Sequence, residues 1–340
     1  MKIYKLLSVS ILILLFTTAC QDNADIVNVY SSRHYRADEA VFKRFTEETG
    51  IEVNLVKANS DQLINRLEME GPLSPADVLI TADAGRLIHA QNKGLLQPMP
   101  SPNVENIVPS HLRDKDGHWT GFTQRARIVV YHRDRVNPAE LSTYEDLAHP
   151  KWEGRLLVRS SQSHYNQTLM ASMVAALGEE EATAWAAQLV QNMARQPTGN
   201  DRDQVKAISA GLGDIAIINT YYMGLLLHSA NQEERAVARE MGLFFPNQQD
   251  RGTHVNISGI GITAHAAHYD NAVRLIEFML TEESQRTFTA LNYEYPVHPE
   301  VKWPKLLQSW GTFKSDTLPL FQLGESLNKG LLIFNKVGWE

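Results

Sequence analysis

Cysteine is almost missing: the 340 residues carry one, Cys20. With Cys20 consumed or removed at the amino end, the mature chain has no thiol. Disulfides, thiolate metal sites and a cysteine nucleophile are then excluded. A long hydrophobic run is missing too. The most apolar stretch, Leu6 to Phe16, is shorter than the ~20 residues that a membrane-spanning helix needs. It follows a basic head, Met-Lys-Ile-Tyr-Lys, and precedes Thr17-Thr18-Ala19-Cys20, so it reads as a secretory leader over residues 1–19. Cys20 stands where a bacterial lipoprotein is cut and lipidated, although Thr17 holds a place where Leu is usual. The expectation is an exported, periplasmic protein, either anchored through Cys20 or soluble. An excess of positive charge is also missing. The formal charge is −7, and a leader takes Lys2 and Lys5 with it, which argues against nucleic acid as a partner. There is no low-complexity tract, coiled coil or short-period repeat.

What remains is about 320 residues, too many for one small core, so two lobes are expected. Ile26 to Tyr30 reads as a strand, Arg36 to Thr49 as a helix ended by Gly50, and Ile51 to Val56 as a second strand. Ser60 to Glu70 reads as a helix and Ala76 to Ile80 as a third strand, and Asp83 caps the next helix. Strand and helix alternating three times predict an α/β lobe with a parallel sheet. Ser101 to Gly117 is polar and reads as a surface excursion. Trp119–Phe122 and Ala126–Tyr131 read as two strands around Gln124-Arg125, where the chain first crosses between lobes. Leu156–Val158 and Ile215–Ile218 are further strands, with helices between them. His254–Thr263 reads as a glycine-punctuated strand pair that returns to the first lobe. The expected division is 25–123 plus about 252–298 for the N-terminal lobe, and 124–251 plus about 299–340 for the C-terminal lobe.

Three loops share one context, each following a strand and preceding a helix: His34-Tyr35, His164-Tyr165 and Tyr221-Tyr222. In open α/β sheets the carboxyl ends of strands are where ligands bind. Four phenols are therefore expected to meet in the cleft, one from the first lobe and three from the second. Thr220 is expected to cap the helix that carries the tyrosine pair. Free tyrosine titrates near 10 and is neutral at pH 7. A bound trivalent cation drives protons off its ligands, and phenolate is a hard anionic donor suited to ferric iron. A lone tyrosine beside a strand is more often a packed aromatic, so the weight lies on the three loops together. His34 and His164 are imidazole neighbours of the set. Arg125 and Arg127 fall in the crossing strand. They are expected to face opposite sides, with one entering the cleft to balance phenolate charge or hold a small anion.

With these residues in view, the chain resembles the periplasmic ferric-iron-binding proteins of bacterial ABC importers, in their tyrosine-rich branch. The resemblance rests on Val29-Tyr30-Ser31-Ser32-Arg33-His34-Tyr35, Ser74-Pro75-Ala76-Asp77-Val78, Gly121 to Val130, Tyr165 and Asn219-Thr220-Tyr221-Tyr222. It implies a two-lobed, hinged periplasmic-binding-protein fold of type II, with a mixed sheet flanked by helices in each lobe. It implies Fe3+ held by Tyr35, Tyr165, Tyr221 and Tyr222, with His34 as an optional further ligand and Arg125 behind them. It also implies delivery to an inner-membrane ABC permease, by a monomer that catalyses nothing. Another branch carries a Glu after its third strand, whereas this chain reads Thr81-Ala82-Asp83. Whether carbonate or another synergistic anion completes the site stays open at this point. Two alternatives remain beside it: a binding protein for an organic ligand such as a polyamine, thiamine or a sugar, and a non-haem ferric enzyme.

Overall fold

Strand and helix alternate along the chain as the apolar periodicity requires. A computed structural model describes residues 25–340, so the leader and Cys20 lie outside the described residues. The strands are β1 (Ile26–Ser31), β2 (Glu52–Lys57), β3 (Val78–Thr81), β4 (Leu96–Gln97), β5 (Thr120–His132), β6 (Leu156–Leu157), β7 (Ile215–Asn219), β8 (Met241–Phe244), β9 (Val255–Thr263) and β10 (Tyr295–Pro296). The helices are α1 (Arg36–Thr49), α2 (Ser60–Glu70), α3 (Ala84–Asn92), α4 (Pro102–Ile107), α5 (His164–Leu177), α6 (Glu179–Asn192), α7 (Asp201–Ser209), α8 (Thr220–Leu227), α9 (Gln232–Arg239), α10 (Tyr269–Leu280), α11 (Glu282–Asn292), α12 (Lys305–Ser309) and α13 (Leu323–Val337). Local signals set their ends. Asn59 and Gln62 form a capping box on α2, the Asp83 side chain caps α3, and Gly50 closes α1 in the left-handed region.

The strands run in the order β2-β1-β3-β9-β5-β7-β6. β1 pairs in parallel with β2 and β3, as strand–helix alternation demands, and β9 then joins β3 antiparallel. β5 is the long element. Its first half pairs with β9 as far as Ala126↔Val255, and from Arg127 onward it pairs with β7 and β8. One strand therefore belongs to both lobes. The backbone N–H of Arg127 donates to the His254 carbonyl where the two halves meet. On the far side an apolar cluster that includes Trp152, Trp185 and Trp339 fills the second lobe, and α13 packs across α5 and α6.

The structure corrects several expectations. The two strands expected around Gln124-Arg125 are one continuous β5, with an irregularity between Gly121 and Thr123. The strand pair expected over 254–263 is the single strand β9. Its glycines do not mark a turn; they admit neighbours. A Cβ on Gly259 would lie 2.6 Å from Leu87 and 2.9 Å from the Thr120 carbonyl. Thr220 does not cap α8: Asn219 is the N-cap, without a side-chain capping bond. The Thr220 hydroxyl instead accepts from the Ala126 N–H at the crossing. The excursion over 101–117 holds the short helix α4, capped by the Ser101 hydroxyl. Among the described residues no helix is long and apolar enough to cross a membrane.

Gly259→Ala is expected to destabilise the protein by about 1–3 kcal/mol, the usual cost of overpacking a well-filled interior. The measurement is urea unfolding, and an unchanged midpoint would show that the β5–β9 approach is looser than its geometry.

Candidate metal centre

Tyrosines follow β1, β6 and β7, and each stands at the N-cap or within the first turn of a helix. Tyr35 is the N-cap of α1, Tyr165 is the second residue of α5, and Tyr221 and Tyr222 follow Thr220 at the start of α8. Tyr165 thus lies in a helix rather than in the expected loop. Helix N-termini carry partial positive charge and favour anions. The phenols meet across the cleft. The Tyr221 oxygen is 3.2 Å from that of Tyr35 and 3.1 Å from that of Tyr165, and the Tyr222 ring packs 4.2 Å from the Tyr221 ring. One phenol comes from the first-lobe strand β1 and three follow second-lobe strands. The cleft beside them encloses about 430 Å³ and is lined by Ser32, Asn59, Arg86, His164 and Arg202, among others.

Burial pushes the Tyr35, Tyr221 and Tyr222 phenols up from their ordinary value, and neighbouring phenol charge adds to the shift. Without a ligand these three stay protonated at neutral pH. Positive charge is nevertheless built in around them. The guanidinium carbons of Arg125, Arg127 and Arg159 lie 5.3, 5.8 and 5.5 Å from the centre of the Tyr165 ring, and that of Arg33 lies 4.7 Å from Tyr35. Arg125 and Arg127 therefore do not face opposite sides, as the sequence reading expected. Side chains alternate with a period of two, so residues two apart share a face. Both are buried, and both approach Tyr165.

Carboxylates hold these cations in place. Asp201, fully buried at the start of α7, accepts from Arg127 at 2.6 Å and Arg159 at 2.7 Å. Asp83 lies 3.8 Å from Arg125, which also donates to the Ala82 carbonyl. Asp83 accepts from the Gly85 N–H at 2.8 Å, from Thr168 at 3.1 Å and from Asn256 at 2.8 Å. Its oxygens are committed to α3, α5 and β9, away from the phenols. Among the described residues, no group of three or more His, Cys, Asp or Glu side chains is placed to hold a metal ion.

The two histidines differ. His34 is exposed at the rim, its ring 6.5 Å from that of Tyr35. His164 lies against Tyr165, ring centres 4.1 Å apart, and its buried Nε2 has no hydrogen-bond partner among the described residues. Burial and the guanidiniums around it push its imidazole well below the ordinary value. Sequence reasoning missed Arg33, Arg159, Asp201 and Glu294. The one available signal was a charged residue just past the end of an apolar strand, as at Arg33 and Arg159, each two residues beyond it.

The sequence model of the bacterial extracellular solute-binding protein family matches residues 74–312. The chain belongs to that family, and it has the two-lobed type II fold of periplasmic binding proteins. It is 49% identical over 314 residues to iron uptake protein A1 of Synechocystis sp., covering 92% of this chain and 87% of that one. It is 30% identical over 290 residues to the major ferric iron-binding protein of Neisseria meningitidis serogroup B, covering 84% of each. Among solved structures, the Trichodesmium protein IdiA (FutA), in complex with iron and citrate ligands, superposes with a TM-score of 0.90. It shares 44% identity over 93% of this chain and 100% of that one.

Burial lifts the Asp83 carboxyl to about 6, against the lowering effect of Arg125, Arg86 and its hydrogen-bond donors. A carboxyl whose folded value is raised binds more protons when folded. Asp83 therefore lowers stability as pH rises from ~4, the unfolded value, to about 6, by roughly 3 kcal/mol at ~1.4 kcal/mol per unit. Asp83→Asn should remove that fall. Urea unfolding of both proteins at pH 4 and pH 7 tests it, and parallel pH dependences would refute it.

Proposed function

We propose that this chain captures ferric iron between its lobes through Tyr35, Tyr165, Tyr221 and Tyr222 and delivers it to an ABC permease of the inner membrane. The observation that carries the reading is the Tyr221 phenol oxygen lying 3.2 Å from that of Tyr35 and 3.1 Å from that of Tyr165, with Tyr222 packed beside them. Neutral phenols this deep gain little from one another. A trivalent cation displaces their protons and turns the cluster into a hard anionic cage. Four phenolates exceed the charge of Fe3+, so charge balance does not call for carbonate or another anion. The guanidiniums of Arg125, Arg127 and Arg159 offset the surplus. His34, exposed at the rim, is an auxiliary ligand at most. The similarity to iron uptake and ferric iron-binding proteins supports iron as cargo.

The same reading takes in the division of the chain: 25–123 with about 252–298 in one lobe, and 124–251 with about 299–340 in the other. The passage of β5 from β9 to β7 at Ala126–Arg127 supports the first crossing. The protein acts in the periplasm as a monomer that binds and releases without turnover, and Cys20 tethers it by a lipid.

Mature protein given one equivalent of ferric citrate should turn orange to purple, the colour of phenolate-to-iron charge transfer. Tyr221→Phe should weaken or shift the band. Protein that stays folded and colourless would refute iron as cargo. In competition titrations Tyr221→Phe or Tyr222→Phe should cost at least about tenfold more affinity than His34→Ala, since each removes an anionic donor and not a rim imidazole. Equal losses would overturn that ranking of ligands. Iron should also raise the melting temperature, because a ligand that binds only the folded state stabilises it.

A further inference from the structure

Only one of the four phenols comes from the first lobe, so the donor set is complete only when the Tyr35 ring is held where the other three converge. Its own loop does little to hold it. Tyr35 is the N-cap of α1 but makes no side-chain capping bond, and its hydroxyl bonds across the cleft to Tyr221. What lies against its ring is the guanidinium of Arg33, 4.7 Å from the ring centre. We propose that Arg33 is the positioning residue of Tyr35, and that Glu294 and Ser258 tie it to Arg125 so that the first-lobe and second-lobe phenols rest on one connected base. This rests on the ferric reading above and adds to it the part of the fold that aims the first-lobe donor.

The Arg33 side chain is fully buried. Its Nε and one terminal nitrogen grip both oxygens of Asp38, in the first turn of α1, at 2.9 Å. Its other terminal nitrogen donates to Glu294 at 3.0 Å and to the Ser258 hydroxyl of β9. The Asp38 grip fixes the start of α1, and with it the backbone of Tyr35. The Glu294 and Ser258 contacts fix the plane of the guanidinium, and so the surface on which the phenol ring lies. An ion pair that merely joined α1 to the core would need Asp38 alone. Two carboxylates, a hydroxyl and an aromatic face on one cation require the planar fork of arginine, which lysine lacks.

The second half of the base faces the other lobe. Ser258 donates to Glu294 at 3.1 Å and accepts from Arg125 at 3.4 Å, and Arg125 lies 5.3 Å from the Tyr165 ring. Burial opposes ionisation of Glu294, yet Arg33 and Arg125 beside it hold its carboxyl below the ordinary value. Arg33 under Tyr35 and Arg125 under Tyr165 thus share one anion and one hydroxyl. The segment that carries Glu294 also carries Tyr293, whose ring packs on the backbone of α8 at Gly224 and stacks on His228, 5.0 Å between centres. Contact of that segment with the helix of Tyr221 and Tyr222 places the base in register with the second-lobe donors.

The test uses full-length mature protein titrated with ferric citrate, as wild type, Arg33→Lys, Tyr35→Phe and the double variant. Arg33→Lys keeps the charge and loses the fork. It is expected to weaken iron binding about tenfold and to move the charge-transfer band in the direction that Tyr35→Phe moves it. The double variant should bind no more than about twofold more weakly than Tyr35→Phe alone, because the two act through one contact. A merely structural role would lower the melting temperature, leave the band where it is in wild type, and multiply the two losses; that pattern overturns the proposal. If Arg33→Lys does not fold, Glu294→Gln carries the same readout. A misplaced Tyr35 weakens binding and shifts the band, whereas simple loss of a negative charge near phenolates tightens binding, and tightening overturns the proposal. A coloured wild type with an unaltered Arg33→Lys spectrum refutes this inference alone. A colourless, folded wild type refutes the ferric reading and this inference together.

Discussion

A phenolate away from water is unstable unless positive charge stands beside it. The cleft of this protein is built around that constraint. It gathers four phenols and four buried or half-buried guanidiniums, and it gives the guanidiniums carboxylates of their own: Asp38 and Glu294 for Arg33, Asp83 for Arg125, and Asp201 for Arg127 and Arg159. The cations are therefore largely satisfied before any ligand arrives. They do not pull the protons off Tyr35, Tyr221 or Tyr222, whose values burial keeps high. A further strong charge has to enter the cleft before these phenols ionise, and the fixed guanidiniums then share the surplus.

The placement of these charges follows from one strand. β5 passes through both lobes, and its pleat puts Arg125 and Arg127 on a single face on either side of the crossing. Arg125 reaches back to the Ala82 carbonyl and Asp83 in the first lobe, while Arg127 reaches forward to Asp201 and Asn166 in the second. The Thr220 hydroxyl takes the Ala126 N–H between them, one residue before the tyrosine pair. The point at which β5 passes from β9 to β7 thus carries the charges that face the phenols. Tyr35 already reaches Tyr221 across the cleft, so all four phenols sit beside these charges.

Much of this was legible in the sequence. The apolar period, the stop at Gly50 and the cap at Asp83 marked the first three strands and helices, because local signals and the final packing agree there. The recurrence of tyrosine after β1, β6 and β7 was legible because a strand end is a known position once the strand is recognised. What could not be read was long-range. Nothing in the stretch around Gly121 says that β5 continues unbroken, since glycine there answers to Ile257 and the Leu112 carbonyl. Glycines in β9 looked like turn residues for the same reason. The roles of Arg33, Arg159 and Glu294 went unread, because their burial is decided by partners as many as 261 residues away. The opposed facing expected of Arg125 and Arg127 was an error of periodicity, and the strand itself corrects it.

The choice of phenol over carboxylate then has a physical reason in this fold. A carboxylate ligand is ionised at neutral pH and attracts any hard cation, including the dications that bind readily to carboxylate and water. Asp83 is the acidic residue nearest the position a carboxylate ligand would take after β3, and its oxygens are held by Gly85, Thr168 and Asn256. The donors that remain are phenols that release their protons only to a cation strong enough to offset both burial and mutual repulsion. A dication pays the same deprotonation cost with less charge to set against it. On the proposed ferric reading, selectivity for a trivalent ion comes less from the size of the cleft than from how reluctantly these phenols ionise, and that reluctance is a product of packing them together.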